Sequence, residues 1–275
     1  MYALLDFMEN FNRWRRKRLV PGLRMAHHQR KCISNVQDRA HGQVKSVIVY
    51  SIKNVFIAVM GVTGSGKISF ISLCTKQPTS KDEYGLVIRK IPFALHSRLS
   101  DMKADPKGVE ISSFMWNNHI CVHMIYVPGF KDTNRSEGEV FLDIAGWMTI
   151  AYEKKMYLSG IIYLYRITDN CLRGVSWQDL KFFEEFCGSK CFSEVTLVST
   201  MWDKLDSAST GVAREDVLTA NEGFWGSMVK HGSRVERHSN SRDSAMSIVD
   251  SIVEHQRTVV LEIQDVDSEQ ATSSR

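Results

Sequence analysis

The run Gly61-Val62-Thr63-Gly64-Ser65-Gly66-Lys67 has the spacing G-x-x-x-x-G-K. Glycines at those places let a main chain curl until successive N–H groups face one hollow, and the lysine adds an ammonium beside it. The chemistry this suits is the holding of a chain of phosphates, helped by the positive end of a helix opening at Lys67, Ile68 and Ser69. A plain glycine turn ahead of a core helix would use the same letters. The context favours phosphate, because the apolar V-F-I-A-V-M run enters the loop and a helical pattern leaves it. One position departs. A hydroxyl normally follows the lysine and binds the Mg²⁺ that bridges the outer phosphates, whereas Ile68 offers no ligand atom. Ser69 comes next, but one helical residue turns a side chain by about 100°.

Other chemistry finds less support. His119 and His123, on one strand, would stand roughly 13 Å apart, too far to share an ion. Cys187 and Cys191 have no histidine at zinc-site spacing. Phe182, Phe183 and Phe186 fit a core stripe, and no G-x-S-x-G anchors acyl transfer.

The elements that must carry the loop follow from periodicity. Residues 54–60 read as a buried strand and 67–76 as a helix. Residues 109–116 and 119–127 flank Asn117-Asn118 as a hairpin, since asparagine tolerates the positive φ of a tight turn. Helices are expected over 139–158, 176–186, part of 212–231 and 243–261, with strands over 160–167, 194–199 and 233–237. Strands alternating with helices predict an α/β three-layer sandwich around a mostly parallel sheet. The domain is expected over 47–262. A basic extension (1–46) precedes it and a polar tail (263–275) follows.

Length and composition set the outer limits. At 275 residues, 43% hydrophobic and 24% charged, the chain is neither wholly disordered nor a polytopic membrane protein. No apolar run reaches the roughly 18 residues a span needs. The net charge of +4 is uneven: residues 1–46 hold ten Lys/Arg against three Asp/Glu, leaving the remainder slightly acidic. Leu4, Phe7, Met8, Phe11 and Trp14 at helical spacing lead into Arg15-Arg16-Lys17-Arg18. This arm suits either a solvated tail or peripheral contact with an anionic membrane surface. Nucleic acid is not an expected partner. Six cysteines without a Cys-x-x-Cys pair, and no secretory leader pattern, point to reduced thiols and a cytoplasmic setting.

Three further segments, in order after the loop, resemble the P-loop GTPases, and specifically the septin-like and immunity-associated type abundant in fungi. Tyr126-Val-Pro-Gly-Phe-Lys-Asp-Thr133 is similar to the switch II signature D-T-P-G-F-x-D-T. Thr200-Met-Trp-Asp203 is similar to the guanine-reading T-x-x-D. Phe224-Trp225-Gly226, Gly232-Ser233-Arg234 and Ser244-Ala245 resemble the C-terminal section. The resemblance implies a Ras-like fold, phosphates held by Gly61 to Ser69, and switch II contacts at Pro128 and Gly129. It also implies guanine read by Thr200 and Asp203, with a last base contact somewhere in 237–241. A carboxylate at Asp203 would accept hydrogen bonds from guanine N1 and N2, a donor pair adenine lacks. A strand-end loop with an aspartate cap would show the same four letters. Relatives of this family often pair through their G faces, which implies a homodimer.

Departures from the family pattern concern the metal. Tyr126 stands where the family has its Mg²⁺-anchoring aspartate, and Val127 replaces a threonine. The switch I stretch 96–102 ends in Met102 where a threonine is expected. Phe130 leaves no side chain to orient an attacking water. The leading expectation is a domain that binds GTP or GDP, makes doubtful use of Mg²⁺, has no protein metal site, and hydrolyses weakly or not at all. The alternatives are an active GTPase with ligands rewired through Ser69, Asp132 or Thr133, and an interaction module without nucleotide.

Overall fold

Strand β1 (Lys53–Gly61) is buried without interruption from Val55 onward, as a central strand covered on both faces must be. Its side chains divide by parity. Phe56, Ala58 and Met60 enter one apolar cluster, while Val55, Ile57 and Val59 enter another. The computed structural model describes residues 52–75, 109–129, 156–169 and 175–255, with 144, 146–148 and 151 between them. The basic arm, the switch I stretch 96–102, Asp132, Thr133 and the C-terminal tail lie outside the described residues.

Among the described residues the sheet has six strands in the order β2-β3-β1-β4-β5-β6. They are β2 (Glu110–Met115), β3 (Ile120–Tyr126), β4 (Leu158–Arg166), β5 (Val195–Thr200) and β6 (Arg234–Arg237) beside β1. The β2–β3 pair is antiparallel and the other four pairings are parallel. Helices α1 (Lys67–Thr75) and α5 (Arg242–His255) cover one face through Phe70, Ile71, Ile248, Val249 and Ile252. The other face is covered by α2 (Val175–Cys187), α3 (Ala208–Ala220), α4 (Trp225–Lys230) and the helical residues between 144 and 151. The expected α/β three-layer sandwich is therefore the fold observed. No helix among the described residues is long and apolar enough to cross a membrane.

Several local expectations are corrected. The helix placed over 139–158 stops earlier: Met156 and Tyr157 are not helical, and Leu158 opens β4 by pairing with Phe56. Sheet pairing overrides helical periodicity there. The stretch 212–231, expected to be helical in part, is so: it holds the end of α3 and all of α4, parted at Asn221, whose side chain accepts from the Gly223 N–H. In the hairpin, neither Asn117 nor Asn118 has a positive φ. Asn117 instead closes the turn with its side-chain oxygen, which accepts from the N–H groups of His119 and Ile120 at 2.8 Å. His119 thus sits in the turn, and only His123 is a strand residue.

Candidate nucleotide site

The loop begins where β1 can bring it closest to its neighbour. Gly61 pairs with Leu164 on β4 and has φ 132°; a Cβ there would run into the Leu164 carbonyl. Gly64 and Gly66 also have positive φ, 79° and 93°. The Ser65 N–H closes a turn onto the Val62 carbonyl at 3.1 Å, and Phe70 N donates to Gly66 O at 2.9 Å as α1 winds up. Val62 and Ser65 are buried, whereas Thr63 and Gly64 are exposed. The Ser65 hydroxyl is buried with no hydrogen-bond partner among the described residues. This is the strand–loop–helix geometry that the spacing of the glycines and lysine predicts.

Lys67 is buried, with its Nζ donating to Gly61 O at 2.8 Å and Val62 O at 3.0 Å. Burial lowers its pKa to about 8; Asp179 opposes that shift and the positive charge of Arg166 adds to it. A cation held at a glycine loop and short of water is one that a bound anion would relieve. Ile68 presents its side chain outward at 48% exposure, and Ser69 is exposed beside it.

Strand β3 delivers the next group. Tyr126 is its last residue, and the Lys67 ammonium lies 5.9 Å from the centre of its ring. The Val127 N–H donates to Val59 O at 3.1 Å and continues the strand pairing one step. Pro128 and Gly129 follow, bringing Gly129 so close to Thr63 that a Cβ would lie 2.6 Å from its Oγ1. The 126–129 segment therefore meets the glycine loop directly.

The 200–203 turn reaches the loop from β5. Thr200 is buried, and its hydroxyl donates to Ser65 O at 3.0 Å, with Tyr165 O at 3.2 Å as the alternative acceptor. Thr200 thus braces the phosphate loop from below. Met201 takes a left-handed conformation (φ 64°), and a Cβ on Gly66 would lie 3.6 Å from its Cε. Asp203 follows in a single 3₁₀ turn (Trp202–Lys204), exposed, 3.3 Å from the Lys204 ammonium.

Sequence reading misses what holds this turn. Trp202 Nε1 donates to Ser199 Oγ at 3.0 Å, Ser199 Oγ to Glu215 at 2.7 Å, and Arg237 Nε to the other Glu215 oxygen at 2.7 Å. The Arg237 guanidinium then lies 4.4 Å from the centre of the Trp202 ring. These four residues come from separate elements and share no spacing that a linear reading could find. The loop after β6 also arrives here, since the His238 N–H donates to Ser199 O at 2.9 Å. Burial lowers the His238 pKa, with Asp203 opposing. Asn240 in that loop is left-handed at φ 54°. The structure therefore sets the 237–241 segment next to the 200–203 turn.

Solved structures share this fold. Toc33 from Arabidopsis thaliana in complex with Mg²⁺ and GMPPNP matches with a TM-score of 0.53 at 13% identity, covering 76% of this chain and 89% of that one. The fold is that of a P-loop GTPase G domain. The GDP–Mg²⁺ complex of Toc33 gives the same TM-score over 77% of this chain and 89% of its own, at 13% identity. A dimerization-deficient mutant of Toc33 gives 0.52 at 14% identity, over 76% and 88%. No protein-family model matches the sequence, and neither does any curated protein. At such identities the G-domain likeness concerns the fold. What the site can hold must come from its own residues.

Among the described residues, the two positions where magnesium ligands are expected, 68 and 126, carry side chains that do not fit the ion. Ile68 is aliphatic and turned outward, and Tyr126 brings an aromatic ring to Lys67. Mg²⁺ wants hard oxygen ligands in near-octahedral array, normally including a carboxylate.

Proposed function

We propose that this G domain binds guanine nucleotide, GDP or GTP, without requiring Mg²⁺, and hydrolyses it weakly or not at all. The observation that carries this reading is Lys67, a buried cation fixed on the carbonyls of a glycine loop whose metal-ligand positions are Ile68 and Tyr126. In this reading the loop from Gly61 to Lys67 holds phosphates. Asp203 accepts from guanine N1 and N2, and Thr200 fixes the distance between the two halves of the site. Phosphoryl transfer relies on positioning and charge neutralisation, with the metal a principal part. Loss of its ligands therefore depresses turnover far more than affinity. Likeness to Toc33 bound to GMPPNP and to GDP supports the choice of ligand class. The switch II-like segment and the 200–203 turn support the septin-like, immunity-associated subtype. The dimerization described for Toc33 supports pairing of two copies through this face.

Calorimetric titration with GDP, GTP and ADP, each with and without Mg²⁺, tests the reading. GDP should bind equally well in both buffers. ADP should bind at least tenfold more weakly, since each hydrogen bond to Asp203 contributes about 1.5–3 kcal/mol. Phosphate release should stay at background. Mg²⁺-dependent release that disappears in Lys67→Ala would replace it with an active, rewired GTPase. A folded protein giving no heat with any nucleotide would leave a protein-interaction module.

A further inference from the structure

The position of Arg166 follows from strand register. Strand β4 runs beside β1 until Gly61 meets Leu164, then continues two residues further, so Arg166 comes level with the phosphate loop. On its other side it pairs with Thr200, the residue that braces Ser65. The chain turns sharply there, Asp169 N donating to Arg166 O at 3.1 Å, and the Asp169 carboxylate folds back onto the guanidinium. Arg166 Nη2 and Nε donate to Asp169 Oδ2 at 3.0 and 3.2 Å. The remaining nitrogen, Nη1, is the one that faces the loop. It would stand 3.1 Å from a Cβ placed on Gly64, the exposed crown of the loop.

A surface ion pair between Arg166 and Asp169 would by itself contribute little. What this one does is fix a planar fork with one edge satisfied and the other presented to the glycine loop. Arginine forks of this kind match phosphate oxygens. The charge balance points the same way. A nucleotide diphosphate brings several negative charges, Lys67 supplies one positive charge, and the positions that would add a divalent ion carry no ligands.

Resting on the nucleotide reading above, we infer that Arg166 is a second phosphate-binding residue, reaching the nucleotide's phosphates across Gly64 and supplying charge that a metal supplies elsewhere. Asp169 is its positioning residue. Strand register and the approach of Nη1 to Gly64 set this guanidinium at the same loop as Lys67.

The test measures GDP by calorimetry, and guanosine by displacement of a fluorescent GDP, on the full chain in Mg²⁺-free buffer. Arg166→Gln should raise the Kd for GDP about tenfold or more, the usual consequence of losing a charged hydrogen bond. Guanosine, which has no phosphate, should bind as it does to wild type. Arg166→Lys keeps the charge but not the fork and should fall between. If the glutamine variant does not fold, the lysine variant carries the test through the same GDP-against-guanosine comparison. Unchanged GDP affinity in the folded variants, or an equal loss for GDP and guanosine, overturns the assignment. Failure of the wild type to bind GDP at all would be a different result, overturning the nucleotide reading itself.

Discussion

Lys67 sits where water reaches it poorly and where the nearest oxygen atoms are carbonyls, so its proton is held less firmly than in solution. Its pKa of about 8, set mainly by burial, gives the site a pH signature. A bound phosphate would hold that proton in place. Below pH 8 the free protein is already protonated and affinity should be flat. Above it, binding must take up a proton, so GDP affinity should fall by about tenfold per pH unit. Calorimetry at pH 9, in buffers of differing ionisation enthalpy, should register proton uptake; affinity constant from pH 7 to 9.5 would show that Lys67 does not contact the phosphates. The lysine and its glycines are legible in the sequence because their function depends on short-range spacing. Arg166 is not, because nothing nearby in the chain marks it. Only register against Gly61 and Thr200 brings it to the loop.

Elements hold the site together through their ends. Strands β1, β4 and β5 run parallel and end at one end of the sheet, and Thr200 joins the last of them to the glycine loop through Ser65 O. Thr200→Val keeps the shape and removes the donor, leaving a buried carbonyl without its bond. Stability should fall by about 1–2 kcal/mol, read from denaturant midpoints. GDP should bind several-fold more weakly, because the loop loses its brace. A stability loss with unaltered GDP affinity would confine Thr200 to the sheet. At this scale the sequence is readable wherever one signal dominates, the unbroken apolar run in β1 or the helical period in α5. It misleads where two influences compete. Residues up to 158 carry a helical pattern, yet Leu158 is taken by the sheet, and Asn117 acts through its side chain and not through a left-handed backbone.

The molecule as a whole unfolds against a sheet that both apolar clusters share, which makes a buried group on that sheet a reporter of global stability. His123 is such a group. It lies fully buried on β3, stacked on Phe56 with ring centres 4.6 Å apart. Its Nδ1 is 2.7 Å from Ser113 Oγ, and its Nε2 is 3.0 Å from Asn54 Oδ1. These bonds suit a neutral imidazole donating from Nε2 and accepting at Nδ1. Burial lowers its pKa from 6.5 to about 4. The unfolded chain therefore takes up this proton first as pH falls. The contribution of His123 is intact above pH 6.5, declines below it by about 1.4 kcal/mol per unit, and is lost by about pH 4. Replacing His123 with Gln should lower stability at pH 7 yet flatten its decline between pH 6.5 and 4, as measured by urea unfolding at several pH values. His238, also lowered by burial, titrates in both proteins, so the difference between their slopes isolates His123. Parallel slopes would mean that His123 takes up its proton as readily in the folded protein as in the unfolded chain, so that burial on β3 does not hold it neutral.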